Sequence, residues 1–184
     1  MGKRKQGAAL RDFGLLALRA GFGVVMMAHG TQKAFGWFGG GGIEGTGAFF
    51  DQVGFKPGKL NAQVAAATEL GGGALMIAGL ATPVAGAAAA GTMLVAAEMH
   101  KEAGFFAHEG GYEYQLTLAL VGAALALTGS GRFALDHASK HVFDQPWMRA
   151  LAAAAIAPAA WFMVTRRRQL VAAATEEDDP AAEI

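Results

Sequence analysis

Five mostly apolar stretches, each close to the length of a membrane-crossing helix, divide the chain: Phe13 to Phe35, Ala62 to Ala81, Pro83 to Met99, Tyr112 to Gly129 and Trp147 to Val164. About 20 such residues at 1.5 Å each cross the hydrocarbon core of a bilayer. Few polar residues interrupt them. Arg19 and His29 lie inside the first and Glu69 inside the second; the Ala-rich fifth contains Pro158 and carries Trp147 and Trp161 near its ends. A buried helix of a soluble protein is also apolar all round, but four or five of them need polar neighbours to cover them, and this chain has almost no polar faces to offer. The predicted fold is all-α: an integral membrane four-helix bundle with an additional C-terminal hydrophobic helix that either spans or lies at the interface.

Residues 1–12 form a basic N-terminus. Lys3, Arg4 and Lys5 ahead of an apolar run resemble the start of a secretory signal peptide, but Arg19 falls within the apolar part and no small-x-small site closes it. The first helix is therefore expected to stay in the mature protein. Residues 137–165 hold a connector and the fifth segment. Residues 166–184 are basic, then acidic, and are expected to be disordered.

Orientation is read from Lys and Arg in short loops. With a cytoplasmic N-terminus and five full crossings, leaving out Arg19, seven basic residues lie on each side. If the fifth segment does not cross, Arg166 to Arg168 return to the cytoplasm and the count becomes ten against four. That favours four crossings with a peripheral or re-entrant fifth segment.

Composition agrees with a membrane location. Hydrophobic residues make up 53% of the 184 and charged residues 16%, against roughly a quarter charged in typical soluble domains. The absence of Cys excludes disulfides, thiolate zinc, iron–sulfur clusters and CxxC redox chemistry. Fifteen basic residues balance fifteen acidic ones, so nothing points to nucleic acid. Gly and Ala crowd the second to fourth helices, as in Gly71 to Gly73 and Ala85 to Gly91, where small residues allow close helix packing in lipid.

Ionisable groups inside a bilayer cost about 2.5–3.5 kcal/mol each and need pairing, water or chemistry to justify them. Following the chain up and down places His29, Lys33, Glu69, Glu98, His100 and Glu113 in the outer half of the bundle, with Arg19 deeper on the first helix. Arg19 and Lys33 fall within about 40° of one face, so one polar chamber is expected to hold the whole set. Simpler readings stand beside this. Lys33, Glu98, Lys101, Glu102 and Glu109 lie near helix ends, where hydration or snorkelling suffices; Arg19 and Glu69 could form a structural salt bridge; His29 is either a hydrogen-bonded packing residue or a proton acceptor. The outer connections carry Phe35, Trp37, Phe38, Phe49, Phe50, Phe55, Phe105, Phe106, Tyr112 and Tyr114, an interfacial aromatic belt that also suits an amphiphile with a planar ring. A faint internal echo relates His29, Phe49-Phe50 and Glu69 to His100, Phe105-Phe106 and Glu113.

Several motifs lead nowhere. Gly40, Gly42 and Gly45 satisfy GxGxxG without a preceding strand. Carboxylate-bridged metal centres use Glu-x-x-His pairs, whereas Glu98 and His100 are two apart and point away from each other, so no metal site is expected.

The stretch Leu18-Arg19-Ala20-Gly21 leading to Ala28-His29-Gly30-Thr31-Gln32-Lys33-Ala34-Phe35-Gly36 resembles the first helix of the DoxX family of bacterial membrane proteins. Gly47-Ala48-Phe49-Phe50 with Val53-Gly54-Phe55, Glu69-Leu70-Gly71-Gly72, His100 with Gly104-Phe105-Phe106, Gly111-Tyr112-Glu113-Tyr114, and Gly129-Ser130-Gly131-Arg132 to Leu135-Asp136 follow in the family's order, covering residues 13–136. The resemblance implies a multi-pass protein of the bacterial cytoplasmic (inner) membrane, related to the small membrane subunit of thiosulfate:quinone oxidoreductase. It also implies soluble redox partners, such as superoxide dismutase, a sulfurtransferase or a thiosulfate-oxidising subunit, and a link to oxidative-stress defence. The fifth segment and the acidic tail lie outside the family pattern.

The function expected on these grounds is a quinone-interacting membrane subunit of an oxidoreductase system, taking menaquinone or ubiquinone. Glu69 and His29 would handle protons, with Arg19 or Lys33 stabilising a developing oxyanion; Lys33, His100, Glu113 and Glu98 would line the chamber. No flavin, haem or iron–sulfur motif is recognisable, so electrons would come from a partner or a small reductant. A non-catalytic scaffold recruiting soluble redox enzymes and a small proton-coupled transporter are the alternatives. Whether the chain is itself a catalyst, and its oligomeric state, stay open.

Overall fold

Ala8, Ala9, Leu10 and Arg11 are strong helix formers placed ahead of the first apolar run, and they carry its helix well toward the N-terminus. In a computed structural model that describes residues 3–177, α1 spans Lys3–Phe35, about 50 Å at 1.5 Å per residue. There follow α2 (Gly42–Gln52), α3 (Gly58–Ala78), α4 (Thr82–Met99), α5 (Glu113–Thr128), the single turn α6 (Leu135–Ala138) and α7 (Pro146–Glu177). Among the described residues every regular element is helical. By length and composition α1 and α7 can each cross a membrane.

The expected break between the second and third apolar runs is present and has a defined cause. Gly79 adopts a left-handed φ of 66°, its N–H donates to Met76 O (3.2 Å), and Leu80 N–H donates to Leu75 O (3.0 Å). These are the two bonds of a Schellman cap. Pro83 then sits in the first turn of α4, where its missing N–H costs nothing.

Small residues set how the helices meet. α1 and α3 run antiparallel, with Gly23 against Gly73 and Gly30 against Leu70; a Cβ on Gly23 would come within 2.6 Å of Gly73 O. α4 and α5 meet in the same way, a Cβ on Gly86 lying 2.6 Å from Gly122 O. α3 packs on α4, α5 touches α1 to close a ring of four helices, and α2 lies across α1 and α3. Phe22, Met26, Met76, Ala89, Met93 and Leu125 fill the ring. The periphery is apolar as well, with Val24, Leu120, Leu151, Trp161 and Phe162 all exposed. Large apolar surface on the outside suits a lipid environment.

The fifth segment forms the long helix α7, which by length and composition can cross a membrane. It packs along α4 and α5. At the end of the ring that holds the α3–α4 turn, hereafter the lower end, Arg149 Nε is 2.7 Å from Asp144 Oδ1. At the upper end Arg168 pairs with Glu98, and Arg167 Nε donates to Val53 O at 2.7 Å while lying 5.6 Å from the Phe55 ring centroid. α7 therefore runs the full height of the ring. The helix passes through Pro158 and continues through Arg166–Arg168 to Glu177, where a disordered tail was expected; Gln169, Leu170 and Ala172 to Ala174 favour helix. Residues 178–184 of that tail lie outside the described residues.

Candidate functional site

His29 and Lys33 are four apart on α1 and so share a face. The antiparallel approach of α3 brings Glu69 to that face. Lys33 Nζ lies 2.7 Å from Glu69 Oε2, with Glu69 only 1% exposed. Beside this ion pair, His29 Nε2 is 3.0 Å from the Tyr114 hydroxyl at the start of α5. The four side chains line the polar part of a cavity of about 880 Å³, together with His100 and Gln115. Gln115 Oε1 is buried without a hydrogen-bond partner.

Phe49, Phe50 and Phe55 cover the site from α2 and the following loop. That loop is tied down by Asp51, which accepts a hydrogen bond from Gly58 N–H (2.6 Å), and by Asn61, whose amide donates to Phe55 O (3.0 Å) and Pro57 O (2.9 Å). The rest of the cavity is largely apolar, broken by Asn61, Thr68 and Thr92, and runs between α3, α4 and α7.

Of the expected chamber residues, His29, Lys33 and Glu69 converge, and His100 lines the cavity while its Nδ1 lies 2.9 Å from Gly110 O. The other three do not join them. Glu98 points away, toward Arg168 and Lys101 on the α4–α7 surface. Glu113 Oε2 accepts the backbone N–H of Ala107 (3.0 Å) and so closes the loop between α4 and α5. With Glu113 so engaged, the two halves of the proposed internal echo do not play equivalent parts.

Arg19 is the largest departure. It is buried at the lower end, where Nη1 donates to Met76 O and Ile77 O, both at 2.8 Å, and Nη2 donates to Phe133 O. Sharing a helix face with Lys33 does not bring the two together, because fourteen residues separate them by about 21 Å along the axis. The partner of Glu69 is Lys33, and no Arg19–Glu69 bridge forms. Arg19 instead satisfies the last carbonyls of α3, where a cation is also favoured by the helix dipole.

Sequence reasoning missed a second polar cluster at the lower end. Asp136, fully buried, accepts the N–H groups of Ala81 (3.1 Å) and Thr82 (3.4 Å) and caps α4 from the distant turn α6. Asp144 accepts Ser130 N–H (2.9 Å) and Oγ–H (2.7 Å) beside its Arg149 pair. Burial pushes the Asp144 carboxyl up, but the hydrogen bonds from Arg149 and Ser130 outweigh it and hold the group below the usual carboxylate range. Tyr114 was also missed as a site residue. Its place one residue after Glu113, at the top of a helix facing His29, was the available signal.

The DoxX family model matches residues 14–109. A protein of Bacillus subtilis (strain 168) named "Putative oxidoreductase CatD" is 38% identical over 125 residues, which cover 68% of this chain and 86% of that protein. No solved structure matches the chain. The match to the family runs from α1 through the loop after α4, taking in Arg19, His29, Lys33, Glu69 and His100, and with the similarity to the B. subtilis protein it shows that this chain belongs to the DoxX family of membrane proteins.

Proposed function

We propose that the chain is a multi-pass subunit of a quinone-linked oxidoreductase system in the bacterial inner membrane, with α1, α3, α4, α5 and α7 crossing the bilayer. The observation that carries this reading is the cavity: an ion pair, Lys33–Glu69, with its carboxylate buried, and a His29–Tyr114 pair at one end of a largely apolar space of about 880 Å³. Such a lining suits a small planar head with hydrogen-bonding oxygens and an apolar remainder. The name of the B. subtilis relative supports the redox class.

A bound quinone would supply the two-electron, two-proton chemistry of its carbonyl oxygens. Lys33 and Tyr114 offer N–H and O–H donors to such oxygens, and His29 and Glu69 are the groups that can carry protons to and from them. Phe49, Phe50 and Phe55 line the same end of the cavity, where Glu69 is 1% exposed. Arg19 takes no part, because it lies at the lower end, bonded to the end of α3 and to Phe133 O. Electrons come from a soluble redox partner, a thiosulfate-oxidising subunit or an oxidative-stress enzyme being the kinds the family resemblance implies.

The test is a thermal-shift titration of the protein in nanodiscs with menaquinone and ubiquinone analogues, comparing wild type with Glu69→Gln. Stabilisation of wild type that is lost in the variant supports the reading. No stabilisation of a folded wild type overturns it in favour of a scaffold whose buried charges only lock the helices.

A further inference from the structure

We propose that the apolar part of the cavity is a slot for the prenyl chain of a membrane-borne ligand, with α7 as one of its walls. The polar head and the prenyl nature of the chain rest on the quinone reading; the slot does not.

The slot has a shape of its own. Val84, Ala88, Gly91 and Val95 of α4 line it at spacings of four, three and four, one face of a helix. Leu151 and Ala155 of α7 line it from another side. Between Val84 and the polar end at His100 the cavity extends for about 24 Å along α4. α7 is secured at both ends, by Arg149–Asp144 below and Arg168–Glu98 above, so this wall is anchored to the loops and to α4. It also lies outside residues 14–109, the part matched by the family model.

Gly91 supplies the most specific observation. Gly86, five residues earlier on the same helix, is required for contact with α5, since a Cβ there would meet Gly122 O at 2.6 Å. A Cβ on Gly91 would meet nothing within 4 Å. Gly91 therefore serves no helix contact; it keeps the slot open at mid-height. An extended chain without hydrogen-bonding groups fits walls of this kind, and continuity with the Lys33–Glu69 end requires that the chain carry a polar head. For a membrane quinone head, that tail is prenyl.

The experiment compares wild type and Gly91→Leu in nanodiscs, with empty nanodiscs as the blank, using menaquinone-4, menadione (the same ring without the tail), geranylgeraniol (a prenyl chain without the ring) and oleyl alcohol (a straight chain). Wild type is expected to bind menaquinone-4 at least about tenfold more tightly than menadione. Gly91→Leu should abolish that preference, bind menadione as wild type does, and lose geranylgeraniol. Ala155→Phe, which fills the slot from α7, repeats the test should Gly91→Leu fail to fold. Unchanged menaquinone-4 binding in a folded slot-filled variant overturns the proposal and leaves the quinone reading standing. Equal binding of oleyl alcohol and geranylgeraniol overturns the prenyl assignment. Geranylgeraniol bound by wild type and lost in Gly91→Leu, with neither naphthoquinone bound, supports the slot and removes the quinone reading.

Discussion

The guanidinium of Arg19 occupies the space that a side chain on Gly79 would need: a Cβ at Gly79 would lie 2.6 Å from Arg19 Nη1. The left-handed glycine that ends α3 thus has a second task beyond its φ of 66°, which is to admit the cation that caps the same helix. Arg19 then joins three chain segments, through Met76 and Ile77 on α3 and Phe133 ahead of α6.

Arg19→Ala should lower stability by about 2–4 kcal/mol, since it leaves buried carbonyls without their donor. Thermal melting in nanodiscs measures this. The folded fraction should still respond to quinone, because Arg19 is remote from the cavity. A variant that melts like wild type but ignores quinone would restore Arg19 to the site.

Removing one member of the upper ion pair should hurt more than removing both. Lys33→Met leaves the Glu69 carboxylate, 1% exposed, without its partner, at a cost toward the lower end of about 3–5 kcal/mol because Lys33 is partly exposed. The double variant Lys33→Met/Glu69→Leu should recover much of that stability while losing quinone-induced stabilisation. A double-mutant cycle that proves additive would show that the pair is not coupled.

Tyr114→Phe removes the hydroxyl that meets His29 Nε2 at 3.0 Å. A stability loss of about 1 kcal/mol is expected, with quinone reduction by the reconstituted system slowed by about 10²-fold. Steady-state rates with a donor enzyme would check it, and an unchanged rate would remove Tyr114 from the site.

Acid should act through the lower cluster. The Asp144 carboxyl is held below its usual range in the folded chain, so its contribution to stability is present above the unfolded-state value and is lost as pH falls through the folded one. Melting temperature is expected to drop below about pH 4, with a smaller drop in Asp144→Asn. Equal acid sensitivity in both would assign the effect elsewhere.

Asp136→Ala should cost about 1–2 kcal/mol, the usual worth of a helix cap, through the freed N–H groups of Ala81 and Thr82. Faster hydrogen exchange at these two amides would be the direct signature.

Much of the fold was legible because hydropathy is a local property. Each apolar run marks a helix, the second to fourth at nearly matching bounds, and Gly79 with Pro83 marks the break between α3 and α4. The ends of the long helices were less legible. Arg166 to Arg168 look like a stop in a one-dimensional scan, yet each can continue a helix, and Arg167 and Arg168 find partners at Val53 and Glu98 that no local pattern announces.

The site divides along the same line. From the sequence alone came the all-helical membrane character, the buried charges and the pairing of His29 with Lys33 on one face, since these follow from residue type and a period of 3.6. The tertiary structure alone decided which charge meets which. The contacts of Gly23 with Gly73 and Gly30 with Leu70 set the axial register of α1 on α3. That register puts Lys33 beside Glu69 and leaves Arg19 at the far end, where it caps α3. Angular position on a helix can be counted from a sequence, but register between helices arises from close contact of surfaces distant in the chain.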